Sequence, residues 1–317
     1  MKDYVIGVDL GGTKISCALA TMAGIVESKW TIPTEAHLGE KVVLDNIIDS
    51  INKVMELGKV SIDRIKAIGI GSPGPLDIEK GIVITTPNLP FKNFKLVEPI
   101  KNEFNVPVFL DNDANVAAIG EYMLGAAKGL KNMIYVTVST GVGGGAVLDG
   151  KVYRGSTYNA LEVGHMTLDP FGPTCGCGNN GCLEALSSGT AIAKRANEAL
   201  KSKVETSLRK YENVTSYEVF EEAKAGDTVA KEIIDRALTY LGIGISNMIT
   251  SFDPEIIIIG GGVSKAGDIV FDKVREVVNR RNFKTMAENC QIVPAGLGTN
   301  AGMLGAVALA MLESKNL

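Results

Sequence analysis

The sequence is poor in the features that mark export, membrane insertion and nucleic-acid binding. It has one tryptophan, two histidines and 11 prolines in 317 residues. Its five cysteines are an odd number, and a chain of this length can bury a core without disulfide staples. It has no basic run. Lys plus Arg is 32 against 36 Asp plus Glu, a formal charge of -4, which argues against nucleic acid as the main partner. Met1-Lys2-Asp3-Tyr4 leads straight into an apolar strand with an acid inside it, unlike a secretory leader. The uncharged stretch from Asn132 to Leu148 carries Ser, Thr and Gly and is shorter than the ~20 residues of a spanning helix. These absences predict a cytoplasmic protein with no membrane partner. What is present is a globular profile, 45% apolar and 21% charged, long enough for about two domains. Glycine is in excess at 36 residues, and is expected where the backbone turns sharply or approaches a ligand.

The pattern predicts strands at Tyr4–Leu10, Ile15–Thr21 and Ile25–Ile32, joined by Gly11-Gly12 and Ala23-Gly24. Leu44, Ile47, Ile48, Ile51, Val54 and Met55 recur at helical spacing. Strands follow at Ile65–Gly71 and Val106–Leu110, then a helix over Ala114–Leu124. From Met133 the order restarts: strand to Thr140, glycine turn Gly141–Gly145, strand Ala146–Leu148, tight turn, strand Lys151–Tyr153, and later a strand Glu255–Ile259. The expectation is an internal duplication. Helices are expected at about 188–201, 216–225, 227–250, 268–281 and 301–312. Alternating strands and helices indicate an α/β protein with antiparallel hairpins opening each half.

Two glycine loops sit at matching places in the two halves. Asp9-Leu10-Gly11-Gly12-Thr13-Lys14 offers backbone N–H groups, a hydroxyl, and a carboxylate for a phosphate-bound Mg²⁺. Thr140-Gly141-Val142-Gly143-Gly144-Gly145 repeats the device. Either alone reads as a hairpin turn; as a pair they suggest a clamp on a polyphosphate. No G-x-x-x-x-G-K-[ST] occurs, which excludes a P-loop. Gly69-Ile70-Gly71-Ser72-Pro73-Gly74 fits G-x-G-x-x-G in letters, but no helix opens there and no acid stands at 88–95 for a ribose.

His165 precedes Cys175-Gly176-Cys177-Gly178-Asn179-Asn180-Gly181-Cys182. One imidazole and three thiols match a closed tetrahedral zinc site, structural because no fourth position is left for water. The alternative, a disulfide plus a spare thiol, is disfavoured by the strained Cys-x-Cys spacing. Cys17 and Cys290 stand in apolar segments and read as core. Asp111-Asn112-Asp113-Ala114-Asn115 follows a strand and opens a helix, where its acids and amides can cap and also face a crevice. Glu162 precedes the zinc histidine and Glu184 follows Cys182, so a metal loop would hold both carboxylates in place.

Asp9–Lys14, Asp111–Asn115, the loop at 140–145, Glu162-Val163-Gly164-His165 and Cys175–Glu184 together resemble the ROK family (repressors, open reading frames and sugar kinases), and within it the bacterial glucokinases. The motifs span nearly the whole chain, and the zinc loop with its Gly-His is the most specific. The resemblance implies an actin-like, hexokinase-type (ribonuclease H-like) duplicated fold with ATP and sugar in a cleft between two α/β domains. The division expected is 1–115 and 116–299, with a C-terminal helix 300–317 packing back on the first. The implied activity is ATP-dependent phosphorylation of the 6-hydroxyl of an aldohexose, glucose first. Fructose, N-acetylmannosamine and allose are alternatives, and behind them a non-catalytic sugar-sensing regulator. A first strand at residue 4 leaves no room ahead of it for a DNA-binding helix-turn-helix. By motif match, Asp113 is the catalytic base, and Gly74, Asn112, Asp113, Glu162, His165 and Glu184 bind sugar. Asp9, Gly11, Gly12, Thr13, Lys14, Thr140, Gly141, Gly143, Gly261 and Gly262 serve the nucleotide and its Mg²⁺. His165, Cys175, Cys177 and Cys182 hold zinc. A homodimer or homotetramer is implied. One departure from the family pattern is Leu161, where a small residue usually precedes the Glu, and it bears on sugar specificity.

Overall fold

The computed structural model describes residues 3–86 and 88–316. Met1, Lys2, Pro87 and Leu317 lie outside the described residues, including the first two residues of the expected lead-in and the last of the expected C-terminal helix. The chain runs β1 (Tyr4–Leu10), β2 (Lys14–Thr21), β3 (Val26–Pro33), α1 (Glu40–Gly58), β4 (Ile65–Ser72), β5 (Leu76–Asp77), β6 (Ile82–Thr85), β7 (Lys92–Lys95), α2 (Val97–Phe104), β8 (Val108–Asn112) and α3 (Asp113–Met123). It continues through β9 (Met133–Val138), β10 (Val142–Leu148), β11 (Lys151–Val152), α4 (Leu183–Ser187), α5 (Gly189–Leu200), α6 (Ser216–Ala225) and α7 (Thr228–Phe252). It ends with β12 (Ile256–Gly260), α8 (Asp268–Arg281), α9 (Lys284–Asn289), β13 (Gln291–Pro294) and α10 (Ala301–Glu313). No described helix is long and apolar enough to cross a membrane.

Two five-stranded sheets carry the fold, ordered β3-β2-β1-β4-β8 and β11-β10-β9-β12-β13. Position by position they are the same sheet. Each has an antiparallel hairpin at its centre and parallel strands after it, with β1 paired to β4 as β9 is to β12. The duplication visible in the sequence pattern is therefore a duplication of topology. Each half has its own core. Ile6, Ile15, Ile47, Ile68 and Ile100 centre the first, and Ile134, Leu183, Leu241, Ile257 and Val274 the second. Helix α1 shows why the periodicity was legible: Val43, Ile47, Ile51 and Val54 form its buried face.

The helices that end the halves are exchanged. Helix α3 packs on β9 and β10 of the second sheet, whereas α10 packs on β1 and β4 of the first, and the two helices lie against each other. Glycines permit this. A Cβ on Gly7 or Gly69 would collide with the backbone of α10 at Val307 and Ala306. One on Gly305 would collide with Val116 of α3. Part of the glycine excess thus serves close backbone packing between elements.

The second glycine motif is not a turn over its whole length. The tight turn is Ser139–Gly141, and Gly143, Gly144 and Gly145 are inside β10, paired with Thr137, Val136 and Tyr135. The reason is packing: a Cβ on Gly145 would stand 2.9 Å from Ala114 O and 2.9 Å from Ala118 Cβ. Bare backbone on β10 lets the first turns of α3 lie directly on the strand. The small sheet β5-β6-β7, helix α2 and strand β13 were not expected from the sequence.

Candidate active site

A cleft of about 320 Å³ opens between the two sheets. Its floor is the start of α3. Asn112 caps that helix, its Oδ1 accepting from Ala114 N at 2.9 Å, and Asp113 Oδ1 accepts from the same N–H at 2.8 Å. Preceding Asp111 is fully buried and takes three donors: Asn112 N at 2.8 Å, Asn115 Nδ2 at 2.9 Å and Arg154 Nε at 2.6 Å. This network fixes the end of β8, and with it the side chains of Asn112 and Asp113. Burial pushes the Asp113 carboxyl up to about 6, and the nearby negative charges of Asp9 and Glu162 add to the shift. A carboxylate with that affinity is suited to accept a proton near neutral pH.

Around Asp113 the cleft brings together Gly74, Asn112, Thr140, Gly141, Gly143, Glu162 and Glu184. Glu184, in the first turn of α4, accepts from Val142 N at 3.0 Å and so ties the hairpin to the cysteine loop. Asp9 and Lys14 line a neighbouring groove of about 310 Å³ with Ser16 and Asn300. Burial also raises the Asp9 carboxyl, against the opposing charge of Lys14. Gly11, Gly12 and Thr13 line neither space; they form the β1–β2 turn, where Gly11 N donates to Lys14 O at 3.0 Å and a Cβ on Gly12 would meet Asn88 Cβ at 2.6 Å. Gly261 and Gly262 stand behind the cleft edge, where a Cβ on Gly262 would lie 3.6 Å from Ser139 Oγ. His165 does not line the cleft and is in the cysteine cluster.

The ligand atoms of His165, Cys175, Cys177 and Cys182 lie within 4.8 Å of one another. His165 Nδ1 is 3.7 Å from Cys175 Sγ, and Cys177 Sγ is 3.7 Å from Cys182 Sγ. Donors about 2.3 Å from a tetrahedral ion stand about 3.8 Å apart, so the spacing fits a metal of that geometry. The Asn179 backbone N–H holds the Cys177 thiol below its ordinary value, towards the thiolate a metal requires.

Sequence reasoning missed Ser139, Tyr158 and Asn159 of the cleft, and Arg154 beneath it. Tyr158 and Asn159 stand just before the Leu161-Glu162 motif, separated from it by Ala160, and that motif is the one signal that pointed to them. Leu161 itself is buried at a φ of 66°, with its side chain in the second core.

The model of the ROK family matches residues 5–313. The chain belongs to the ROK family. A glucokinase from Halalkalibacterium halodurans is 38% identical over 307 residues, covering 95% of this chain and 93% of that one. A xylose repressor from Caldicellulosiruptor bescii is 34% identical over 98% of this chain but 78% of its own length. Among solved structures, the ROK hexokinase of Thermus thermophilus superposes with a TM-score of 0.88 at 38% identity, covering 99% of this chain and 100% of that one. A ROK family glucokinase from Streptomyces griseus, solved with glucose and AMPPNP, gives 0.79 at 31% identity over 98% and 99% of the chains. The duplicated α/β fold is thus the actin-like, hexokinase-type fold of ROK kinases.

Proposed function

We propose that this ROK protein is an ATP-dependent hexose kinase that transfers the γ-phosphoryl group of ATP to the 6-hydroxyl of an aldohexose, with glucose the preferred sugar. One observation carries the reading: Asp113, its carboxyl raised to about 6 by desolvation, shares a cleft with Glu162, Glu184 and the Thr140–Gly143 hairpin. Relatives that are named glucokinases, one of them solved with glucose and AMPPNP, support the choice of sugar and donor.

In this reading Asn112 accepts from and donates to sugar hydroxyls, Glu162 and Glu184 accept from them, and Gly74 leaves room for the ring. Asp113 takes the proton of the 6-hydroxyl as its oxygen attacks the γ-phosphorus in line, and the bond to the bridging oxygen breaks to leave ADP. The backbone N–H groups around Thr140, Gly141 and Gly143 face the polyphosphate, with Gly11, Gly12, Thr13 and Lys14 opposite and Gly261 and Gly262 beside the adenosine. Mg²⁺ bound with the nucleotide would neutralise phosphate charge, and Asp9 would be the carboxylate that holds it. Zinc on His165, Cys175, Cys177 and Cys182 is structural in this proposal, because all four positions are filled by protein. The lobes we infer are 1–115 with the C-terminal helix from 300, and 116–299. The exchange of α3 and α10 supports that division. A cytoplasmic dimer or tetramer is proposed on family grounds and is read by light scattering.

A coupled assay of ADP release over a sugar panel tests the function. Turnover should require a hexose, with the highest kcat/KM for glucose over fructose, N-acetylmannosamine and allose. Tight sugar binding without ADP release would favour the sensor reading, which the repressor relatives keep open.

A further inference from the structure

Tyr158 stands between two spaces. It lines the cleft and also a second cavity of about 680 Å³ that holds Lys101, Phe109, Arg154 and Leu309. It belongs to the segment after β11, whose Ala160 and Leu161 pack into the second core. Its partner belongs to the other body. Glu79 sits between β5 and β6, whose Leu76 and Val83 are part of the first core. The Tyr158 hydroxyl donates to Glu79 Oε1 at 2.9 Å, so this hydrogen bond crosses from one core to the other.

A second crossing lies deeper in the same segment. Arg154 donates through Nε to buried Asp111 at 2.6 Å and through Nη2 to Glu313 of α10 at 2.8 Å. The inner crossing is a charged network with its carboxylate fully buried, while the outer one ends on exposed Glu79. Between and beyond them the backbone is left-handed, with φ 59° at Tyr158 and 66° at Leu161. Side chains with a Cβ seldom adopt that conformation, so contacts at the ends must hold the segment.

We propose that Tyr158 positions the sugar and sets selectivity: its ring walls the cleft from the neighbouring cavity, and Glu79 pins its hydroxyl across the two cores. The proposal rests on the hexose-kinase reading. A flat apolar ring suits the C–H face of a pyranose, and the pin gives the ring one orientation. Without the ring, the cleft and the second cavity join, and a sugar with a bulky substituent gains room.

The test is calorimetric titration of glucose and N-acetylmannosamine into wild type, Y158F, E79A, the Y158F/E79A double variant and Y158A, with kcat and the KM for ATP measured beside it. Y158F and E79A should each raise the glucose Kd about fivefold, the range of one net hydrogen bond. The double variant should be no weaker than either single one, because both remove the same bond. The kcat and the KM for ATP should stay unchanged, which a general loss of structure would not allow. Y158A should narrow the preference for glucose over N-acetylmannosamine about tenfold. An unmoved Kd in Y158F, additive effects in the double variant, or an unchanged preference in Y158A would each overturn the proposal. If wild type phosphorylates glucose and these variants fail to respond, only the role of Tyr158 falls. If wild type binds no hexose, the kinase reading falls with it.

Discussion

At the scale of the residue, the proposed phosphoryl transfer turns on how Asp113 is made basic. Two features do it: burial, then the like charges of Asp9 and Glu162. The carboxylate must be ionised to accept a proton, and its affinity is raised to about 6. The kcat/KM for sugar should therefore be flat above about pH 7 and fall about tenfold per unit well below the pKa, read from a pH–rate profile. The same shift has a stability side. A carboxyl whose folded pKa of about 6 exceeds its ordinary 3.8 favours the fold below the lower value and loses that contribution as pH rises through the upper. Asp113→Asn, which cannot ionise, should be more stable than wild type at pH 8 by up to about 3 kcal/mol, with the gain vanishing near pH 3. Denaturant melts at the two pH values check this; equal stabilities at pH 8 would show that the Asp113 charge is not desolvated in the fold.

At the scale of the element, the sequence spoke most clearly where a face repeats. The long helices and the central strands were legible because their apolar residues recur at 3.6 or 2 over many positions, as in α1. The strands β5, β6 and β7, of 2, 4 and 4 residues, are too short to show a period and lie among Pro, Gly and Asn. Strand β10 hid for another reason. Its glycines carry no hydrophobic signal, and they are there so that α3 can lie on the strand. Gly145→Ala should lift the start of α3, cost about 1–3 kcal/mol by overpacking, and lower kcat more than it raises the KM for ATP. Thermal melts and steady-state kinetics read this; a fully stable and active variant would mean that the contact yields cheaply.

Motifs told more of the site than of its distribution. Asp113, Glu162, Glu184 and the Thr140 hairpin share one cleft, whereas Asp9 and Lys14 line a separate groove and His165 faces the cysteines. Sequence spacing cannot show that division, because it depends on how the two sheets face each other. Nor could it show Arg154 beneath Asp111, since an arginine after a short strand reads as an ordinary surface residue.

At the scale of the molecule, two copies of one topology exchange their last helices, and the cleft forms where they meet. α10 is apolar on nearly every face because it is covered by both the first sheet and α3, which is why its amphipathic signal is weak. The cysteine loop joins this frame through Glu184, which reaches the hairpin at Val142 N. Cys177→Ala should lower bound zinc from one ion per chain towards none and lower glucose turnover at least about tenfold, read by metal analysis and the ADP-release assay. A zinc-free variant of full activity would detach the loop from the cleft.

In the proposed reaction Asp113 takes the proton of the attacking hydroxyl. Glucose-dependent ADP release by Asp113→Asn against wild type, with folding checked by circular dichroism, tests it most directly. Turnover should fall by about 10²–10⁴ with glucose binding largely kept. A variant that retains turnover within about threefold of wild type would contradict it.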